Sequence, residues 1–202
     1  MRTTQSIPKR EQILEAAARL VHIKGFHRTS VEDILGAAEA GKGQFYHYFR
    51  SKDDVGLAIV DRAAAQMGST LLKRLEDGRG LDAIVGMLDC LVATARENQC
   101  GGGCPLGNLA AEMSDLHEEF RSKLALIFES WRGVVERALR AAQLRGEIRS
   151  DVEIEELSFL VLSTIQGGIL LAKVKRDVRV MEQCFDGLKE CLGQLRPLRG
   201  ER

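Results

Sequence analysis

The stretch GKGQFYHYFRSK, residues 41–52, sets four aromatic rings and a histidine side by side at 45–49, with a lysine or arginine close on either flank. Phe45 and Phe49 are four apart, so they share one face of a short helix and read as its anchor to neighbouring helices. Lys42, Gly43, Gln44, Tyr46, His47 and Tyr48 then lie on or near the opposite side. A helix this short cannot bury every side, so a pure core role fits Tyr46, His47 and Tyr48 poorly. Their chemistry suits DNA. Glutamine pairs with adenine edges in the major groove, and tyrosine, histidine and lysine donate to phosphate oxygens. Gly43 has no side chain to hold the backbone away from a sugar-phosphate chain. Lys52, in the first turn of the following helix, puts a cation beside exposed backbone N–H groups and reads as a phosphate clamp.

Helical periodicity surrounds this stretch. Upstream, Ile13, Leu14, Ala17, Leu20 and Val21 recur at the spacing of one helix face, and Gly25 supplies a C-terminal stop. The pattern Thr29-x-x-Glu32 reads as a capping box opening a second, short helix. Gly36 and Ala40-Gly41 break it before the aromatic helix begins. Two short helices joined by a tight turn predict a helix-turn-helix. Ser51 caps a fourth helix. Beyond residue 78 the helices lengthen, over about 80–98, 105–114, 117–144, 152–175 and 178–195. Strand signals are scarce. The expected fold is all-α, about nine helices in total, with a three-helix reader at residues 1–52 and a larger effector-binding and dimerisation domain at 53–202.

The 202 residues carry 29 basic and 29 acidic side chains, so the net charge is zero. That balance argues against a nonspecific nucleoid protein, whose affinity comes mostly from phosphate neutralisation. The charges are nevertheless unevenly distributed. Residues 1–52 hold nine Lys/Arg against five Asp/Glu, together with three of the four histidines, so an anionic partner is expected for that part. No apolar run reads as the roughly 20 residues of a membrane helix. With no signal-peptide core at the N-terminus, the expectation is a cytoplasmic protein without membrane contact.

The run ILEAAARLVHIKGFHRTSVEDILGAAEAGKGQFYHYFRSKDDV closely resembles the DNA-binding domain of the TetR family of bacterial repressors. Its most specific elements are the Lys-Gly pair, FYHYF, and the Ser-Lys-acid that opens the next helix. Length and layout resemble the family too, as does LRGEIRSDVEIEELS before the penultimate helix. The resemblance implies a two-fold dimer that binds double-stranded operator DNA and answers to an effector. It also implies that Ser30 touches phosphate, that Lys42, Gly43 and Gln44 meet the groove, and that Tyr46, His47, Tyr48 and Lys52 hold the backbone. Glu39 departs from the family, which commonly has a turn glycine there. An acid at this place is expected to point away from DNA or to tune specificity.

LSFLVLSTIQGGILLAKV, residues 157–174, is apolar over too much of its circumference for a surface helix. Together with the family likeness it suggests a dimer seam through Ile165, Gly168, Leu171, Met181, Phe185, Leu188 and Leu192. Periodicity alone also allows a helix of the monomer core. Soft and aromatic side chains suited to a hydrophobic effector are Met67, Met87, Cys90, Met113, Phe120, Phe128, Trp131 and Phe159, although any helical core contains such residues. CGGGCPLGNLAAE places Cys104 at a predicted helix start, where the dipole favours a thiolate, with glycines expected to leave the sulfur accessible. Cys100 stands by as a resolving thiol, so a thiol-reactive effector is a second expectation. The competing reading of Cys104 is a small residue capping a helix. A thiol enzyme centred on Cys104 is the alternative function, but only His117 remains outside the reader as a base. Metal binding by Cys100, Cys104 and His117 lacks a fourth ligand, and no cofactor motif is present.

Overall fold

The computed structural model describes residues 7–69, 73, 75 and 80–197. Among them are nine helices and no strand. These are α1 (Lys9–Lys24), α2 (Val31–Ala37), α3 (Lys42–Tyr48), α4 (Lys52–Met67), α5 (Gly80–Glu97), α6 (Pro105–Met113), α7 (Glu118–Leu144), α8 (Ile154–Lys175) and α9 (Val178–Gln194). Two compact units result. One comprises Met1–Ala65 with Pro105–Leu124, the other Gln66–Cys104 with Ala125–Arg202.

In the first unit, α1 turns Ile13, Leu14, Ala17 and Val21 inward. Phe26, just after α1, packs against Phe120 with ring centroids 5.3 Å apart. The capping box lies one residue later than the expected Thr29/Glu32 pair. Thr29 is fully buried and its hydroxyl donates to the Gly25 carbonyl at 2.7 Å, so Ser30 is left to cap α2. The Asp33 N–H donates to Ser30 Oγ at 3.0 Å, and the Ser30 N–H returns a bond to Asp33 Oδ2 at 2.9 Å. The bond from the Ser30 backbone, helped by the Ser30 hydroxyl, holds the Asp33 carboxyl below the ordinary carboxylate range. A depressed folded-state value means that the ionised form stabilises α2 above the unfolded pKa near 3.8. That contribution is lost as pH falls through the folded value. Asp33→Asn is therefore expected to flatten the acid limb of a helicity titration by lowering helicity at neutral pH towards its acid value.

The α2–α3 turn contains Glu39 at φ +48°, in the left-handed region where glycine is the usual residue. Lys9 of α1 supports this turn by donating to the Ala38 carbonyl at 3.3 Å and the Glu39 carbonyl at 3.2 Å. A cation at the end of α2 also offsets the negative pole of that helix. Glu39→Gly removes the side-chain clash of the left-handed conformation and is expected to stabilise the unit by about 1 kcal/mol. The check is a higher denaturant midpoint at constant slope.

The second unit packs Val161, Ile165 and Ala172 of α8 against Met181, Phe185, Leu188 and Leu192 of α9 in one core with α5 and α7. At the rim, Lys189 on α9 reaches Asp89 on α5 at 2.8 Å. Contrary to the expectation for the whole chain, α8 is long and apolar enough to cross a membrane by length and composition. Its inward residues belong to this helical core, while Phe159, Leu160, Leu170, Leu171 and Val174 are exposed.

Candidate nucleic-acid interface

Helix α3 is built from its two buried rings. Phe45 is completely buried and Phe49 nearly so, their centroids 5.8 Å apart, and Arg10 of α1 lies over the Phe49 ring at 5.1 Å. Phe49 leaves the helix with extended backbone, which lets it still point inward. Gly41 caps the start, and its N–H donates to Gln44 Oε1 at 3.1 Å. One lone pair of the Gln44 amide oxygen is thus used, leaving its other lone pair and its NH₂ group for a partner.

The remaining side of α3 faces solvent. Lys42, Gly43, Gln44 and His47 are exposed, Tyr46 is 56% exposed and Tyr48 39%. No atom within 4 Å would meet a Cβ at Gly43, so the backbone there is open to a close approach. His47 and Tyr48 stack edge to face at 4.7 Å. Lys42 lies 3.5 Å from Glu32, a pair so exposed that phosphate can compete for the cation. Ser30 is exposed at the start of α2, with its hydroxyl also donating to Asp33 Oδ2 at 2.9 Å.

Lys52 differs from its expected orientation. Its ammonium donates to the Phe26 carbonyl at 3.0 Å and lies 4.5 Å from the Phe26 ring centroid. One of its three donor positions therefore serves the fold, and two remain for an anion. Sequence reasoning passed over Lys9 and Glu112, because their partners are backbone atoms remote in the chain. The Glu112 carboxylate accepts from the Phe26 and His27 N–H groups, both at 2.8 Å.

The residues proposed for an effector do not form one pocket. Met67, Met87 and Trp131 line a cavity of about 30 Å³ together with Leu91, Ile165 and Gln166. Phe128 stacks on Trp131 at 5.3 Å, and Cys90 packs half-buried against the same core. Met113 and Phe120 instead belong to the first unit, where Phe120 also stacks against His117 at 5.9 Å. Phe159 is exposed beneath the Arg132 guanidinium, 4.9 Å from its ring centroid. The glycines do not leave Cys104 open as expected. Cys104 is only 8% exposed and Cys100 is buried as well. The backbone leading through them is unusual, with positive φ at Gln99, Cys100, Gly102 and Gly103. Among the described residues no three His, Cys, Asp or Glu side chains converge as a metal site.

The seam residues also fall differently from their expected role. Ile165, Gly168, Met181, Phe185, Leu188 and Leu192 are buried within the chain's own core, because α8 and α9 pack on each other. Only Leu171 of that set is exposed.

A short helix anchored by two rings, with its polar face bare beside a capped partner helix, defines a helix-turn-helix protein. Residues 13–59 match the family model for bacterial regulatory proteins of the tetR family, and residues 80–188 match the tetracyclin repressor-like C-terminal domain. The chain is 33% identical to the HTH-type transcriptional repressor NemR of Escherichia coli K12 over 194 residues, covering 91% of this chain and 93% of that protein. It is 30% identical to the HTH-type transcriptional repressor DhaR of Mycobacterium sp. strain GP1, covering 92% of each. The solved reduced form of E. coli NemR superposes with a TM-score of 0.79 at 27% identity, covering 90% of this chain and 96% of that one. The chain belongs to the TetR family of DNA-binding transcriptional regulators. It is accordingly a regulator and not a thiol enzyme.

Proposed function

We propose that this protein is a dimeric repressor that binds a near-palindromic operator and leaves it when its second domain meets an effector. The reading assigns DNA recognition to residues 1–52 and effector binding with dimerisation to 53–202. What carries it is the bare polar side of α3, held in place by Phe45 and Phe49. Lys42, Gly43 and Gln44 approach base edges, while Ser30, Tyr46, His47, Tyr48 and Lys52 hold phosphates. Two such helices in a two-fold dimer read half-sites about 34 Å apart. The partner subunit covers the exposed apolar residues of α8, from Phe159 to Val174. The protein works in the cytoplasm, where the operator is.

The effector is an apolar small molecule entering between Met67, Met87 and Trp131. The present space of about 30 Å³ has room for about one or two waters, so ligand entry requires the helices to part. That coupling is what release needs, because an effector shifts the equilibrium only by binding the released state better. A second reading, a thiol-reactive effector at Cys104, is favoured by the Cys100–Cys104 loop. Cys100, and Gln99 just before it, hold left-handed backbone, a strained state that opening would relieve.

Fluorescence anisotropy on a labelled duplex from upstream of the coding sequence tests both. Tyr46→Phe with Lys52→Ala is expected to weaken binding at physiological salt, and because Lys52 also holds the Phe26 carbonyl, Tyr46→Phe alone keeps the fold intact and reports the contact. Unchanged affinity would remove these residues from the interface. An electrophile that releases the wild type but not Cys104→Ser would select the thiol reading, and indifference to it would leave the apolar cavity.

A further inference from the structure

Glu112 is on α6, inside the segment matched by the C-terminal family domain. Its carboxylate is nevertheless bound to the backbone that leads into the helix-turn-helix, more than eighty residues earlier in the chain. Both oxygens are used, one accepting from the Phe26 N–H and the other from the His27 N–H, each at 2.8 Å. The other side of the same peptide is held too, since the Phe26 carbonyl accepts from Lys52 Nζ at 3.0 Å. Gly25 completes the arrangement. Its φ of +87° suits glycine, and a Cβ there would stand 3.1 Å from Glu112 Oε2. A side chain at 25 would therefore push the carboxylate off its donors.

This clamp is close in sequence to the DNA-facing elements. Three residues beyond His27 is Ser30, the cap of α2, and the intervening Thr29 is locked to Gly25. A carboxylate that fixes Phe26 and His27 fixes the origin of α2, and through the α2–α3 turn the attitude of α3. Charge-assisted bonds to two consecutive N–H groups resist both sliding and rotation, which a single neutral bond does not. We propose that Glu112 is a positioning residue for operator binding, orienting the helix-turn-helix from outside residues 1–52. The proposal rests on the operator-binding reading above.

The test compares Glu112→Gln with wild type in two measurements. Hydrogen exchange, which needs no DNA, follows the amides of residues 25–30. Anisotropy follows binding to the upstream duplex. Glutamine puts an NH₂ group against one of the two backbone donors, so exchange at Phe26 and His27 is expected to quicken. Operator affinity should drop at least about tenfold, with helicity and dimerisation unchanged. Glu112→Asp keeps the charge but shortens the reach, and is expected to fall between the two. It also supplies the comparison if Glu112→Gln does not fold. Wild-type affinity in a folded variant overturns the proposal, as does unchanged exchange at Phe26 and His27. Failure of the wild type to bind any upstream duplex overturns instead the operator reading on which the proposal rests.

Discussion

Phe45→Ala is expected to abolish operator binding by unfolding the DNA-reading unit. The ring is completely buried at the centre of α3 and stacks on Phe49. Truncating a buried phenylalanine to alanine costs about 3–5 kcal/mol, from lost transfer energy and the cavity left behind. Whole domains are stable by only about 5–15 kcal/mol, so the loss takes a large share of what this unit has. Helix α3 cannot compensate. It is seven residues long, well below the length at which an isolated helix persists in water. Its other buried anchor, Phe49, lies beyond its last turn. Denaturant unfolding followed by circular dichroism should show a lowered first transition, and anisotropy should show no saturable binding. Tyr46→Phe in the same assay separates loss of fold from loss of contact, since it removes one exposed hydroxyl and no packing.

The second large effect is expected at Phe185→Ala, in the core of the other unit. Phe185 is fully buried, and its ring fills the space where Gly168 lacks a side chain. A Cβ on Gly168 would come within 2.9 Å of that ring, too close for any real contact. Phe185→Ala should therefore cost about 3–5 kcal/mol. Gly168→Ala alone should also destabilise, by roughly 1–3 kcal/mol, because the added methyl overpacks the α8–α9 contact. Combined, the two changes relieve each other, and the double variant should be more stable than the sum of the single costs predicts. A coupling of about 1 kcal/mol or more in a double-mutant cycle is the expected result. Strict additivity would mean that Gly168 and Phe185 do not meet as the structure has them.

How far these elements were legible in the sequence varies with the kind of signal. Helix α3 was legible because Phe45 and Phe49 carry their spacing and their chemistry together, and little else in a polar stretch competes with them. The cap of α2 was misread by one residue. Thr29 and Ser30 are both capping residues, and burial of Thr29 against Gly25 leaves the cap to Ser30. The α8 and α9 residues were rightly read as apolar. Periodicity says that such a face is covered, but not whether the same chain or another copy covers it, so Ile165 and Phe185 were given to a partner. Cys104 was read as accessible because glycines precede it. Accessibility depends on how the loop folds back, which the string of glycines leaves open. Glu112 gave no signal at all, since its partners are two backbone amides that any residues would supply.

The discontinuity of the first unit matters for how the chain is made. Phe26 is covered by Phe120, and the backbone at Phe26 and His27 is tied to Glu112, so the unit is completed only by residues up to Leu124. During synthesis at about 5–20 residues per second, α1 to α4 emerge several seconds before those partners do. For that interval the nascent reader carries an uncovered phenylalanine and, at the origin of α2, two amides bonded only to water. The same dependence reaches gene exchange between relatives. A recombination joint placed after α4 would import a DNA-reading head without the segment that finishes it, whereas a transplant carrying both pieces would arrive whole.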